Sequence, residues 1–134
     1  MFLPLFSCRK SNETADFLGK HKIILAFPLK GCGQCVDKAL DWAKANFSNQ
    51  NIGFVIVGSY RDKAVKSAFG SNLYNLTNVN FDTSGYCIRN RILDTQPIFR
   101  IIQENGEVEV LSLNDNNFDL KANQIMEILT EEKQ

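Results

Sequence analysis

The first half of the chain contains two short, unbroken apolar runs separated by a segment with helical spacing. The runs "KIILAF" (22–27) and "NIGFVIVGS" (51–59) lack alternation, which is typical of strands buried on both faces of a sheet. Between them, apolar residues recur every three or four positions from near Cys32 onwards: Val36, Ala39, Leu40, Ala43 and Phe47. The order strand, helix, strand predicts a right-handed βαβ unit whose two strands are parallel.

The middle of the chain is less regular. The segment "YRDKAVKSAFG" (60–70) predicts a helix that ends at Gly70. A polar stretch follows, with a short strand at 78–82, and "SGYCIRNRIL" (84–93) predicts a short helix. These elements extend the βαβ unit by one helix and one short strand before the pattern changes.

The last third of the chain predicts a hairpin and a closing helix. Within "QPIFRIIQENGEVEVLSL" (96–113), Asn105-Gly106 separates two strand patterns, and this dipeptide favours a tight turn in which both residues have positive φ. Glu and Val alternate over 107–110, which predicts a strand with one solvated face. Residues 118–132 have the apolar spacing of a terminal helix. We therefore predict an α/β protein with a mixed central sheet, a parallel βαβ unit plus a C-terminal antiparallel hairpin, flanked by helices.

Composition changes this picture little. A chain of 134 residues fits one domain with its own core, and 44% apolar and 22% charged residues are ordinary for a globular protein. The formal net charge is zero, so no broad electrostatic binding to nucleic acid or to a membrane surface is expected. No apolar run reaches the roughly 20 residues of a membrane-spanning helix.

The N-terminal stretch "MFLPLFSCRK" is an apolar stub that turns abruptly polar. Its end, from Leu5 to Cys8, resembles the lipobox of bacterial lipoproteins, in which the cysteine receives lipid. We therefore expect a true start upstream of Met1, a lipid anchor at Cys8, a signal remnant and polar tether over residues 1–20, and the domain at 21–134. This predicts an extracytoplasmic or periplasmic protein that meets the membrane only through a lipid anchor. The alternative is a cytoplasmic protein with an incidental apolar end.

Cys32 and Cys35 carry the candidate chemistry. They lie between the first buried strand and the following helix, so Cys32 falls at a helix N-terminus, where unpaired N–H groups and the positive end of the helix dipole stabilise a thiolate. Cys35 follows about one turn later, within reach for a disulfide. This arrangement predicts dithiol–disulfide exchange, with Cys32 as the nucleophile and Cys35 as the resolving thiol.

Two other interpretations of the cysteine pair stay open. Structural zinc commonly takes four ligands as two pairs, and the remaining candidates Cys8, Cys87 and His21 form no second pair. The pair could also be structural or inert. We expect no metal and no cofactor, because the dithiol itself carries the electrons. Cys87 is expected to be a buried, inert thiol, or else a second redox partner for Cys32.

Over roughly residues 20–132 the chain resembles the thioredoxin superfamily, and especially its extracytoplasmic, membrane-anchored reductases. The resemblance rests on "CGQC" after "KIILAF", on Gln96-Pro97 opening a strand, and on "ENGEVEVL" before the last helix. It implies a cis peptide bond before Pro97, which would face the disulfide, and pairing of the Gln96 backbone with a substrate segment. It also implies protein disulfides or dithiols as substrates and a membrane electron donor as the reductant.

The same resemblance implies an active-site loop made of Gly31, Gly33 and Gln34. The chain departs from the family near this loop. Ala26 stands where the family often has an acidic or amide residue, and Pro28 and Gly31 stand where it commonly has aromatic residues. These departures favour an alternative function, a redox-inactive protein-binding or accessory module on the same fold.

Overall fold

The structure is a computed structural model that describes residues 13–30, 33–59, 62–70 and 76–132. Its helices and strands follow the order predicted from the sequence, with one additional helix at the start. In chain order they are α1 (Glu13–Lys20), β1 (Ile23–Pro28), α2 (Gly33–Asn46), β2 (Ile52–Val57), α3 (Lys63–Phe69), β3 (Val79–Phe81), α4 (Tyr86–Arg89), β4 (Ile98–Ile102), β5 (Val108–Ser112) and α5 (Phe118–Glu132).

The strands form one five-stranded mixed sheet in the order β3-β2-β1-β4-β5. Strands β1 and β2 are parallel, with Ile23 opposite Ile52, and β3 lies parallel to β2. Strand β4 is antiparallel to β1, with Ala26 opposite Ile98, and β5 is antiparallel to β4. The predicted α/β class, with its parallel βαβ unit and C-terminal antiparallel hairpin, is confirmed.

Strand β1 is buried along its whole length, as its unbroken apolar run predicts. On one face of the sheet, Leu25 and Phe27 belong to a core that includes residues of α2 and α5. On the other face, Ile24 and Ala26 belong to a second core that includes residues of α1 and α4. Because helices cover both faces of the central strands, an alternation of apolar and polar residues would leave polar groups buried.

Helix α1 is the additional helix at the start of the described chain. A signal remnant and a polar tether are expected over residues 1–20, and within that range α1 buries Phe17 and Leu18 in the second core, so residues 13–20 pack as part of the folded domain. Arg100 in β4 strengthens the contact by donating from Nη1 to the carbonyl oxygen of Leu18 (2.9 Å). A helix of eight residues shows too little period to be recognised, and its stability comes from packing on the sheet.

The hairpin predicted at Asn105-Gly106 is present, but its turn differs from the prediction. Gly106 has a φ of 90°, whereas Arg91 is the only described residue other than glycine with a positive φ, so Asn105 does not have one. The Gly106 N–H donates to the carbonyl oxygen of Gln103 (2.9 Å), and the Asn105 side chain accepts the Glu107 N–H (2.9 Å). A loop that ends in a left-handed glycine reverses the chain with a single positive φ.

Strand β5 is exposed on both faces over most of its length. Val108 and Val110 are 47% and 49% exposed, and Glu109 on the other face is exposed as well. Leu111 packs against the core that contains α5. The expectation of one solvated face is therefore wrong for residues 107–110, because the two valines lie beyond the helices that cover the central strands.

Candidate functional site

The carboxyl ends of the parallel strands β1, β2 and β3 lie at one edge of the sheet. The Leu29 N–H donates to the carbonyl oxygen of Val57 (3.1 Å), which extends the pairing of β1 and β2 to this edge. A cavity of about 440 Å³ opens there, and its lining includes Pro28, Lys30, Gly58, Asp62, Asp82 and Ile88. Since ligands of open α/β sheets bind outside the carboxyl ends of the strands, this edge is the candidate functional site.

Helix α2 follows β1 at this edge and carries Cys35 in its first turn. Gly33 and Gln34 are exposed, whereas Cys35 is only 2% exposed and is disulfide-bonded. A sulfur so buried cannot be the first one that a protein substrate meets. Three other predicted site residues lie outside the described part of the chain: Cys8, Gly31 and Cys32.

The register of β4 brings Gln96 and Pro97 to the same edge. Ala26 in β1 is opposite Ile98, the first residue of β4, so the residues just before β4 lie beside the end of β1. Gln96 is exposed and Pro97 is buried, and the carbonyl oxygen of Pro97 accepts the Leu113 N–H (2.9 Å). The topology thus gathers the predicted substrate segment and the start of α2 at one edge of the sheet.

The peptide bond before Pro97 is trans, because the described residues contain no cis peptide bond. The expected cis bond is therefore wrong for this structure. The trans form of an X-Pro bond is favoured by about 0.5–1 kcal/mol, and a proline can begin a strand in either form because no ladder donor is needed there. Pro97 keeps its predicted place at the start of β4 but not its predicted bond.

A second cavity, of about 820 Å³, adjoins Gln96, and its lining includes Ile88, Ile92, Asp94, Gln96, Val110 and Ser112. Its volume lies within the range of ligand pockets. Ile88 borders both cavities, so the two openings are neighbours. The exposed side chain of Gln96 therefore lies beside a mixed apolar and polar surface.

Asp82 is a residue of this edge that the sequence pattern did not reveal. It is buried at the carboxyl end of β3, and its carboxylate accepts the N–H groups of Tyr86 and Cys87, both at 2.9 Å. These bonds satisfy two otherwise unpaired N–H groups in the first turn of α4, where a negative charge is also favourable. The available signal was an acidic residue two positions before a short predicted helix.

Cys87 is a free and fully buried thiol in the core that α1 and α4 share. Burial is the largest cause that raises the pKa of the Cys87 thiol, to about 12, and the charge and hydrogen bond of Asp82 raise it further. The positive charge of Arg100 acts in the opposite direction and lowers this pKa. Since the thiolate is the nucleophile, such a thiol is inert at neutral pH. The expectation of a buried thiol is confirmed, and α2 packs on the opposite face of the sheet.

His21, the remaining zinc candidate, precedes β1 and so lies at the opposite end of that strand from Cys35. Its ring packs on Phe17, with 4.4 Å between the ring centroids, and also lies over Gly53. Within the described ranges, no group of three or more His, Cys, Asp or Glu side chains is placed to hold a metal ion. In the same part of the chain, no helix has the length and hydropathy needed to cross a membrane.

No protein-family model and no curated protein sequence matches the chain. Among solved structures, it is similar to a secreted Mycobacterium tuberculosis disulfide oxidoreductase homologous to Escherichia coli DsbE, with 19% identity over 69% of this chain and 70% of that chain and a TM-score of 0.43. It is also similar to the N-terminal domain of PilB from Neisseria gonorrhoeae, with 20% identity over 76% of each chain and a TM-score of 0.42.

The fold is thioredoxin-like by the arrangement of its own elements. A parallel βαβ unit with the cysteine pair after its first strand is followed by an antiparallel hairpin on the other side of β1 and by a terminal helix. The predicted thioredoxin-like fold is thereby confirmed.

Proposed function

We propose that the chain is a thiol–disulfide oxidoreductase whose redox centre is Cys32 and Cys35. The observation that carries the proposal is a buried, disulfide-bonded Cys35 in the first turn of a 14-residue helix that follows a buried strand. Unpaired N–H groups and the dipole at such a helix start favour a thiolate. We assign Cys32 as the disulfide partner of Cys35 and as the nucleophile.

The proposed reaction moves two electrons from the chain to a protein disulfide. The Cys32 thiolate attacks one substrate sulfur, which forms a mixed disulfide and releases the other substrate sulfur as a thiolate. The Cys35 thiolate then attacks the Cys32 sulfur, which releases the second substrate thiolate and closes the Cys32–Cys35 disulfide. An external dithiol must reduce the chain again, and a membrane electron donor fits that role outside the cytoplasm.

Ala26 gives this centre a testable kinetic property. Its methyl group is fully buried in β1 and cannot accept the proton that Cys35 must lose before it attacks. We propose that, with no acceptor at position 26, this proton passes to hydroxide or to the departing substrate thiolate. We therefore expect long-lived mixed disulfides and a resolution rate that rises with pH.

Gln96 and Pro97 are proposed to bind the substrate segment. Pro97 lacks an N–H, and Gln96 is exposed beside a cavity of about 820 Å³. An extended peptide can pair with the backbone of Gln96 while its side chains contact the cavity wall. The substrates would be proteins with an accessible disulfide or dithiol, and no cofactor is required.

The extracytoplasmic location is a separate proposal. It is supported by the lipobox-like end of residues 5–8 and by the cysteine pair, since disulfides persist mainly outside the cytoplasm. A labelled fatty acid should enter the full gene product and should be absent from a Cys8→Ser variant. Label in neither protein overturns the anchor, and a pair that stays reduced in cells favours the cytoplasmic alternative.

The redox function is tested with the purified chain, a dithiol reductant and a protein disulfide substrate. We expect the native chain to accelerate reduction, Cys32→Ala to be inactive, and Cys35→Ser to accumulate mixed disulfides. Cys87→Ala is the matched control, because Cys87 is buried on the other face of the sheet from α2. Activity that survives in Cys32→Ala contradicts the proposal.

The second candidate is a redox-inactive binding module, which the buried methyl group of Ala26 favours. In that case the Cys32 thiol would be alkylated with a pKa close to the free value of about 8.5. The native chain would not accelerate disulfide reduction, and Cys32→Ala would keep the biological role of the protein. The alkylation profile against pH therefore separates the two candidates.

A further inference from the structure

Strand β5 is the outermost strand of the sheet in the described part of the chain. The Gln103 N–H donates to Glu107 O and the Leu113 N–H donates to Pro97 O. Bonds of an antiparallel ladder recur at every second residue, so residues 107, 109, 111 and 113 face β4. The N–H and C=O groups of Val108, Val110 and Ser112 therefore point outward from the edge.

The same three residues carry their side chains on the exposed face of β5. Val108 and Val110 are 47% and 49% exposed. Natural edge strands are usually protected by lysine, proline, a bulge or an inward-pointing charge. The sequence of β5, "VEVLS", has no lysine or proline, and its one charged residue, Glu109, points to the other face. Within residues 13–30, 33–59, 62–70 and 76–132, nothing pairs with this edge, and it can accept another strand.

We propose that the β5 edge is a homodimer interface, in which β5 of two copies pairs antiparallel about a two-fold axis at Val110. In this register all five residues of each β5 are paired. Val110 then forms a hydrogen-bonded pair with Val110 of the second copy, Val108 lies opposite Ser112, and Glu109 lies opposite Leu111. The apolar side chains of the two edges meet on one face, and no like charges are opposed.

Neighbouring registers are less favourable. An axis at Glu109 places that carboxylate opposite its own copy, and an axis at Val108 places Glu107 opposite Glu109. Like charges directly opposite each other destabilise a strand pair. An axis at Leu111 avoids this contact but pairs only residues 110–112 of each strand. The charge pattern and the strand length therefore select the axis at Val110.

The expected dimer is weak and depends on concentration. Five residues on each side are fewer than the roughly 20–30 on each side of a standard stable interface. Val110 and Ser112 also line the cavity beside Gln96. In the dimer, Val108 of the second copy lies opposite Ser112 on the same face, so it extends the apolar wall of that cavity. This last consequence rests on the proposed function, whereas the dimer does not.

Sedimentation equilibrium of the full chain tests the interface at concentrations up to about 1 mM. A dimer with a dissociation constant near this concentration, which corresponds to a standard free energy of association of about −4 kcal/mol, would still be detected. We expect a monomer–dimer equilibrium. Val110→Pro should abolish it, because proline removes an outward N–H and leaves the ladder with β4 intact. Val110→Lys, which keeps the N–H but opposes two charges, should abolish it as well. Leu120→Lys is the matched control at an exposed apolar residue outside β5, and it should still dimerise.

Engineered cysteines test the register. Val110→Cys should cross-link to its copy, because Cα atoms about 5.5 Å apart in a hydrogen-bonded pair suit a disulfide. Val108→Cys should not, because the two copies of residue 108 are offset by about 13 Å along the strands. Cross-linking at both positions or at neither overturns the register. A chain that stays monomeric at all concentrations overturns the dimer. The dimer is overturned as well if the chain is monomeric and the β5 amides are protected from hydrogen exchange by residues 1–12. The redox proposal is tested on Cys32 and Cys35, so either proposal can fail alone.

Discussion

Replacement of Asp82 by alanine should lower the free energy of unfolding by about 1–4 kcal/mol. The variant leaves two N–H groups of α4 without their acceptor, those of Tyr86 and Cys87, which now bond the carboxylate at 2.9 Å. The Cys87 N–H is buried, so its loss of a partner costs about 1–3 kcal/mol, and the half-buried Tyr86 N–H adds up to about 1 kcal/mol. This is a large part of the roughly 5–15 kcal/mol that stabilise a domain.

Urea unfolding measures this loss, with the cysteine pair kept oxidised in every variant. Trp42 fluorescence is a suitable signal, because the indole packs edge-on against Phe99 with 5.2 Å between centroids and lies 6.2 Å from Phe54. The midpoint should fall while the slope with urea stays constant. Asp94→Ala is the matched control at an exposed aspartate and should stay within about 0.5 kcal/mol of the native chain.

Asp82→Asn sharpens the test, because an amide oxygen can accept one N–H while the amide nitrogen faces the other. Its stability should fall between those of the native chain and Asp82→Ala. A loss below about 0.5 kcal/mol for Asp82→Ala, equal to that of the control, would refute the assignment of α4's stability to this carboxylate.

Three further predictions concern Cys87, Gly53 and Lys38. The pKa of the Cys87 thiol is about 12 in the folded chain and near 9.0 in the unfolded chain, so only the unfolded chain loses this proton between these pH values. The free energy of unfolding of the native chain, measured in urea, should therefore fall more steeply with pH over this range than that of Cys87→Ala. Equal pH dependence in the two proteins contradicts this prediction. Gly53→Ala places a Cβ 2.8 Å from Cγ of His21 and should lower the free energy of unfolding by about 1–3 kcal/mol. A double-mutant cycle should show a much smaller loss in a His21→Ala background. Lys38 donates to the carbonyl oxygen of Asp115 (2.8 Å) but is partly exposed, so Lys38→Met should cost under about 1 kcal/mol in the same assay, and a larger loss would be evidence of a further contact.

The central part of the fold could be predicted because its signals are local. The unbroken runs of β1 and β2 indicate strands buried on both faces, and the spacing from Val36 to Ala43 indicates the helix between them. Gly106 marks the hairpin, although the side chain of Asn105 stabilises a different turn from the one expected. Each of these features depends on residues within one element or one turn.

Other features depend on residues far apart in the chain. Phe17 and Leu18 make α1 a part of the core only because the sheet offers them a face to bury. The exposure of Val108 and Val110 depends on how far the helices extend over the sheet, which no period in the β5 sequence records. The expected cis bond at Pro97 rests on a resemblance and not on any local signal, and the bond in the structure is trans.

Hydrogen bonds connect Asp82 to the segment proposed to bind substrate. The carboxylate holds the Cys87 N–H, and the carbonyl oxygen of Cys87 accepts the N–H groups of Ile92 (2.8 Å) and Leu93 (3.2 Å). Leu93 is buried, and Gln96 follows it after two exposed residues. The position of Gln96 is therefore set from its N-terminal side by a network that begins at the end of β3.

This connection separates the proposed substrate binding from the proposed chemistry within one edge of the sheet. Asp82 holds the start of α4 and, through Cys87, the segment that precedes β4, whereas Cys35 belongs to the helix that follows β1. Under conditions in which Asp82→Ala remains folded, its KM for a protein disulfide should rise while the rate of thiol exchange with a small disulfide stays near that of the native chain. A general loss of stability would lower the activity toward the protein disulfide and the activity toward the small disulfide together. The ratio of these two activities therefore decides whether Asp82 positions the substrate segment or only stabilises the fold.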